Sequence, residues 1–244
     1  MGYNGFSEMK RVFQSHLIST ASSKERLESF SYEVSRAPRN SPATFLETLV
    51  NNDIAALNDL KNSISSEAIE QAVTLLQEAE TIYVLGQLRS FSVAYNIRYL
   101  LLYLRQNVRL LDGSGGLATE EAELMSEKSL LVAVSFRYYA REVVDIVEGT
   151  ARKNIPILAI TDSQLSPLNK HATCSLVVPG AGHKFSYSLA ATMCLAQSLI
   201  ISMASRLQIE GSEEELNPQD LLGNNDPKIL QRISSSKPYH FEQT

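Results

Sequence analysis

The chain has 244 residues, of which 44% are hydrophobic and 20% charged, enough apolar content for a sizeable core and a composition that argues against general disorder. Twenty-two Lys and Arg stand against 27 Asp and Glu, a formal charge of -5 that excludes a nucleic-acid coat basic along its whole length. The two cysteines, Cys174 and Cys194, form no CxxC and have no His-rich partner, so a disulfide framework and a zinc site both give way to a protein of the reducing cytoplasm.

Residues 1–20 carry Glu8, Lys10, Arg11 and His16 within a broken apolar pattern and lack the apolar run of a secretory leader. Residues 1–40 are polar and Ser-rich, and a linker ends at the Arg36-Ala-Pro-Arg-Asn-Ser-Pro42 run, whose prolines disfavour helix at the residues before them. Ser41 and Pro42 then read as an N-cap and a first helical residue. Phe45, Leu46, Leu49, Val50, Ile54, Leu57 and Leu60 keep helical spacing behind them. A second helix starts at Ser65-Ser66-Glu67 and carries Ile69, Ala72, Val73, Leu75 and Leu76.

From residue 81 the pattern changes to short continuous apolar runs at 81–85, 108–111, 130–134, 157–160 and 175–178. Helical stretches separate them at 90–105, 117–126, 139–153 and a short 166–171, and a long helix closes the series at 185–207. Continuous apolar strands alternating with helices require both faces of a sheet to be covered. The expected class is therefore α/β: a doubly wound five-stranded parallel sheet with flanking helices and an N-terminal helical remnant. The expected division is residues 1–40, 41–210 with the leading helices, and a tail 211–244 that is acidic near its start at Glu213-Glu214-Glu215. The apolar stretch 188–204 contains Ser188, Thr192, Gln197, Ser198 and Ser202, which reads as a buried core helix of a soluble protein rather than a membrane span.

In an open parallel sheet, ligands bind beyond the carboxyl ends of the strands, so the strand-to-helix junctions carry the candidate site. After the first strand, Gly86 permits a tight turn, Ser90 can cap the next helix and leave its backbone N–H groups to an anion, and Arg89 can add a charged contact. The competing reading makes Ser90 only a cap and points Arg89 into water. After the third strand, Ser135 can place a hydroxyl over the sheet, Arg137 lies among aromatics, and Tyr138 and Tyr139 offer packing surface and hydroxyls to a polyol. The competing reading there is a helix start with two half-buried tyrosines, with Glu142 placed in the first turn by the helix dipole. Thr161-Asp162-Ser163 and the cap-and-start pair Ser166-Pro167 read mostly as structural, and Asp112-Gly-Ser-Gly-Gly116 as a tight turn or a close backbone approach to a ligand. His16, His171, His183 and His240 share no metal-ligand spacing, so neither a metal nor another cofactor is expected.

Taken in order, Gly86-Gln-Leu-Arg-Ser-Phe91, Leu110-Leu-Asp-Gly113, Ala133-Val-Ser-Phe-Arg137, Tyr139-Ala-Arg-Glu142, Ile160-Thr-Asp-Ser163 and Ser166-Pro-Leu168 resemble a sugar isomerase (SIS) domain, most closely that of the RpiR/MurR transcriptional regulators. Gly2-Tyr-Asn-Gly-Phe6-Ser-Glu-Met-Lys10 is similar to the end of that family's helix-turn-helix domain, so residues 1–40 are expected to be its remnant and linker. DNA binding is then assigned to the full-length N-terminal domain and is not expected of this chain alone.

The resemblance implies a bacterial, cytoplasmic regulator that is not an enzyme and whose SIS domain binds a sugar phosphate or related sugar derivative. It also implies a homodimer or homotetramer, with helices 42–79 and 185–207 as candidate surfaces. The effector-binding residues it implies are Gly86, Arg89, Ser90, Ser135, Arg137, Tyr139 and Glu142, with no catalytic residue. In SIS domains a loop of the type S-x-S-G-x-T commonly helps to hold the phosphate. Ser135 matches its start, whereas Arg137, Tyr138 and Ala140 replace its second serine, glycine and threonine. Arg137 can make up for the lost hydroxyls by pairing with phosphate or carboxylate, and an unphosphorylated polyol or a sugar acid also fits this departure. The alternative is an aldose–ketose phosphosugar isomerase, for which Glu142 or His183 would have to be the base.

Overall fold

The computed structural model describes residues 18–19, 31, 42–137, 139–178 and 188–211. The Ser41 cap, Tyr138, the His183 loop, the motif at 2–10 and the tail beyond Gly211 lie outside them. Two helices lead, α1 at Pro42–Ser63 and α2 at Ser66–Glu78, and the Ser65 side chain accepts from the Ala68 N–H at 3.2 Å as an N-cap. The strands of the main sheet are β2 (Thr81–Gly86), β3 (Val108–Leu111), β4 (Ser129–Val134), β6 (Ile157–Thr161) and β7 (Cys174–Val177). Between and after them run α3 (Ser90–Tyr103), α4 (Ala118–Glu123), α5 (Arg141–Arg152), a 3-10 turn at Pro167–Lys170 and α6 (Ala190–Gly211). The strand order is β3-β2-β4-β6-β7 and every pairing is parallel, the expected doubly wound five-stranded sheet.

Alternation along the strands builds two cores. Ile82 and Val84, Leu130 and Val132, and Leu158 and Ile160 face one side, where α1, α2, α3 and α6 pack on them. Tyr83 and Leu85, Leu131 and Ala133, and Ile157 and Ala159 face the other, under α4, α5 and the 3-10 turn. Helix α6 is long and apolar enough to cross a membrane by length and composition, but Leu195, Ala196, Leu199, Ile200 and Met203 are buried in the first core. The outer face of α3 instead exposes Phe91, Tyr95, Tyr99 and Tyr103, one aromatic per four residues, with the Tyr99 hydroxyl donating to that of Tyr103 at 2.9 Å.

Two local expectations are corrected. The helix expected from residue 139 starts at Arg141, because Tyr139–Ala140 form a strand, β5, paired in parallel with β1 at Ile18–Ser19. A buried tyrosine favours extended backbone, and the hydrogen bond of its hydroxyl to Asp162 fixes it there. Ser90 is not the cap of α3: Arg89 holds that position without a side-chain cap bond, and Ser90 is the first helical residue.

Candidate functional site

The register sets the carboxyl ends of the strands side by side: Leu85 opposite Leu111, Gly86 opposite Val134, and Val134 opposite Ile160. From the adjacent strands β2 and β4 the chain leaves in opposite directions, α3 to one face and α5 to the other. The crevice between these exits is the switch point of the sheet, and its walls are 86–90 on one side and 135–137 with 139–142 on the other.

The first wall is tightly packed. A Cβ on Gly86 would stand 2.8 Å from the Ser90 carbonyl oxygen and 2.9 Å from the Ala94 Cβ, so this glycine is required for α3 to lie against β2. Leu88 turns the chain through a left-handed conformation, φ 56°, which costs a non-glycine residue about 1–3 kcal/mol and is a strain typical of functional loops. The N–H groups of Ser90, Phe91 and Ser92 donate to the carbonyls of Gln87, Leu88 and Arg89, so the first turn of α3 does not leave these three N–H groups to an anion. What this wall offers a ligand is the side chains of Ser90, itself 5% exposed, and of exposed Arg89.

The second wall is held by Asp162. Its Oδ2 accepts from the Arg137 backbone N–H at 2.9 Å and its Oδ1 from the Tyr139 hydroxyl at 2.8 Å, so one carboxylate at the end of β6 clasps the loop after β4. Below it, the Ser135 N–H donates to the Ile160 carbonyl and the Thr161 hydroxyl donates to the Ser135 carbonyl. Ser135 is buried at the crevice floor, whereas Arg137 is exposed at its rim. The Tyr139 side chain lies beneath the loop, 1% exposed. Burial, followed by the negative charge of Asp162 and the bond to it, pushes the Tyr139 hydroxyl far above the usual tyrosine range and keeps it protonated. Helix α5 begins after extended Ala140 without a side-chain cap bond, the kind of N-terminus that can receive an anion.

The two walls touch. The Gln87 side-chain amide donates to the Glu142 carboxylate across the crevice, and a Cβ at Gly113 would stand 4.0 Å from the Gln87 nitrogen, which brings the loop after β3 to the same place. Gly113, Gly115 and Gly116 all adopt positive φ in that loop, and Asp112 accepts from the Ser114 N–H at 2.8 Å, a bond that holds its carboxyl below the usual range. The structure thus brings Gly86, Arg89 and Ser90 to one wall of the crevice and Ser135, Arg137 and Glu142 to the other, whereas Tyr139, expected to offer its hydroxyl to a ligand, is buried beneath the loop and donates that hydroxyl to Asp162. Sequence reasoning missed Gln87 and Asp162 as organisers. Gln87 gave a signal, a long amide directly after the strand-ending glycine, and Asp162 stood in the quoted Ile160-Thr-Asp-Ser163 run.

The model of the SIS domain family matches residues 75–202, a span that holds the whole sheet and both walls. The chain belongs to the SIS domain family. Among curated relatives it is 27% identical over 206 residues to the HTH-type transcriptional regulator YfhH of Escherichia coli (strain K12), covering 83% of this chain and 70% of that one. Among solved structures it is similar to the sugar isomerase domain of an RpiR transcription factor from Sphaerobacter thermophilus, with 27% identity and a TM-score of 0.64 over 77% of this chain and 96% of that one. The Vibrio vulnificus NanR protein complexed with ManNAc-6P also has a TM-score of 0.64, over 93% of this chain and 78% of that one; at 17% identity this shows the shared fold alone. Within the SIS family the resemblance is to RpiR-type transcriptional regulators.

Proposed function

We propose that this chain is the effector-sensing part of a bacterial RpiR-type transcriptional regulator and that its crevice binds a sugar phosphate or related sugar derivative. What supports the reading is the switch point of the sheet, where the chain segments that carry Ser90, Ser135, Arg137 and the uncapped start of α5 follow the carboxyl ends of the adjacent strands β2 and β4. Hydroxyls and a guanidinium suit a phosphate or carboxylate. The Gln87 and Glu142 side chains, now bonded to each other, can exchange that bond for sugar hydroxyls. The ManNAc-6P bound to NanR indicates the class of ligand to try first. DNA binding, the cytoplasmic setting and a dimer or tetramer belong to the same proposal, as does the division into residues 1–40, 41–210 and 211–244.

The reading assigns no proton transfer. An isomerase needs a base beside the reacting carbons, whereas this reading gives Glu142 the role of a hydrogen-bond acceptor for the ligand. The test is a titration followed by protein NMR with a panel of sugar phosphates, sugar acids and polyols. A saturable set of shifts, with the ligand chemically unchanged, is expected for at least one compound. Ser90→Ala and Arg137→Ala should each weaken its binding about tenfold, the loss of one charge-assisted contact. Conversion of a ligand into its isomer overturns the sensor reading, and binding undiminished in both variants overturns the site.

A further inference from the structure

The two-residue strand β1 is separate from the five-stranded sheet and, among the described residues, pairs with β5 alone, Ile18 opposite Tyr139 and Ser19 opposite Ala140. Its partner lies inside the second wall of the crevice. Two residues before β5 is Arg137, two residues after it is Glu142, and Ala140 is the N-cap of α5. The Tyr139 side chain is anchored on Asp162, the same carboxylate that holds the Arg137 backbone. One edge of the ligand-binding loop is therefore occupied by backbone from the far N-terminal part of the chain, and β1 also lies alongside α5.

We propose that β1 is a latch: its pairing with β5 is coupled to occupancy of the crevice, so that the N-terminal segment of the chain senses the ligand. The inference rests on the crevice being the ligand site. A ladder of two residue pairs is marginal by itself, because short isolated strand pairs are barely stable in water. Its stability is set by how well β5 is ordered. A ligand that gathers Ser135, Arg137 and Glu142 fixes both ends of β5 and so favours the pairing. Linkage makes the effect reciprocal: whatever the ligand adds to the β1–β5 pairing, the pairing adds to ligand affinity.

The test uses the full 244-residue chain with Ile18→Pro and Ser19→Pro together, which removes both backbone donors of β1 and opposes its pairing. The probes are N-acetylmannosamine 6-phosphate and inorganic phosphate, followed by calorimetry. The double variant should keep its thermal midpoint, since β1 lies outside the main sheet, and should bind about 5- to 30-fold more weakly, the lower part of the usual range of a coupling between sites. In the unaltered protein the probe should slow hydrogen exchange of the Ile18, Ser19, Tyr139 and Ala140 amides. Equal affinity in both proteins, with exchange of the β1 amides unmoved by the probe, overturns the latch and leaves the site standing. Silence of the unaltered protein toward both probes and toward the whole panel of sugar phosphates, sugar acids and polyols overturns the ligand site, and the latch with it. Should the double variant fail to fold, the exchange measurement on the unaltered protein decides alone.

Discussion

Replacing Gly86 by alanine tests whether the first wall is set by packing. Gly86 is not among the residues of positive φ, so alanine can adopt its backbone conformation and gains about 0.4–1 kcal/mol from a less free unfolded chain. Against this stands the added Cβ, 2.8 Å from the Ser90 carbonyl oxygen and 2.9 Å from the Ala94 Cβ. Both neighbours belong to the body of α3, so neither can swing aside as the end of a long side chain would. Relief to ordinary contact moves α3 away from β2 by about 0.6 Å, an overpacking that costs about 1–3 kcal/mol. The packing cost wins, and Gly86→Ala should lower stability by about 1–2 kcal/mol net. For a chain of this size that is a fall of roughly 2–8 °C in Tm. Because α3 carries Ser90, the displacement should also weaken ligand binding. Urea unfolding and a ligand titration on the same preparation measure both. A variant as stable as the parent, with unchanged affinity, would refute the claim that this contact positions the wall.

Three further substitutions separate the parts of the structure. Tyr139→Phe removes the bond to Asp162 and should cost about 1.5–3 kcal/mol, the range for a hydrogen bond to a charged group. The same variant carries a pH signature. The folded state raises the Tyr139 ionisation, so its contribution is complete below the ordinary tyrosine pKa of about 10 and is lost as pH rises above it; urea unfolding at a series of alkaline pH values should show a shallower decline in Tyr139→Phe. Asp162→Ala leaves the Arg137 N–H and the Tyr139 hydroxyl without their acceptor and should cost about 2–4 kcal/mol together with ligand affinity, read by calorimetry. Ser65→Ala deletes the N-cap of α2 and should cost about 1 kcal/mol in thermal unfolding with no change in ligand affinity, since α2 forms no part of the crevice.

The sheet was legible because its signal is redundant. Continuous apolar runs such as 130–134 can only be buried on both faces, and the turn and cap residues between them agree with that placement. The position of the candidate crevice was legible to the level of its loops, since it follows from strand order. What escaped were interactions between segments far apart in sequence. Nothing near Tyr139 announces that Asp162 will take its hydroxyl or that Ile18–Ser19 will lie beside it, and a helical pattern continuing through Arg141 hides a two-residue strand. The expectation of free N–H groups at the start of α3 failed for a local reason: Leu88 turns left-handed and winds the loop so that Gln87, Leu88 and Arg89 supply the acceptors.

The aromatic row on α3 gives the molecule a built-in reporter. The chain has no tryptophan, so its near-ultraviolet signals come from tyrosine and phenylalanine. The Tyr99 and Tyr103 rings stand 4.9 Å apart and are tilted by 59°, close enough for their transitions to couple, and Phe91 and Tyr95 continue the row toward Ser90. Because both rings ride on one helix, a rigid displacement of α3 keeps their mutual geometry and reaches the circular dichroism through a change in the surroundings of these exposed rings. Movement of the first wall can thus be followed optically in the unlabelled protein.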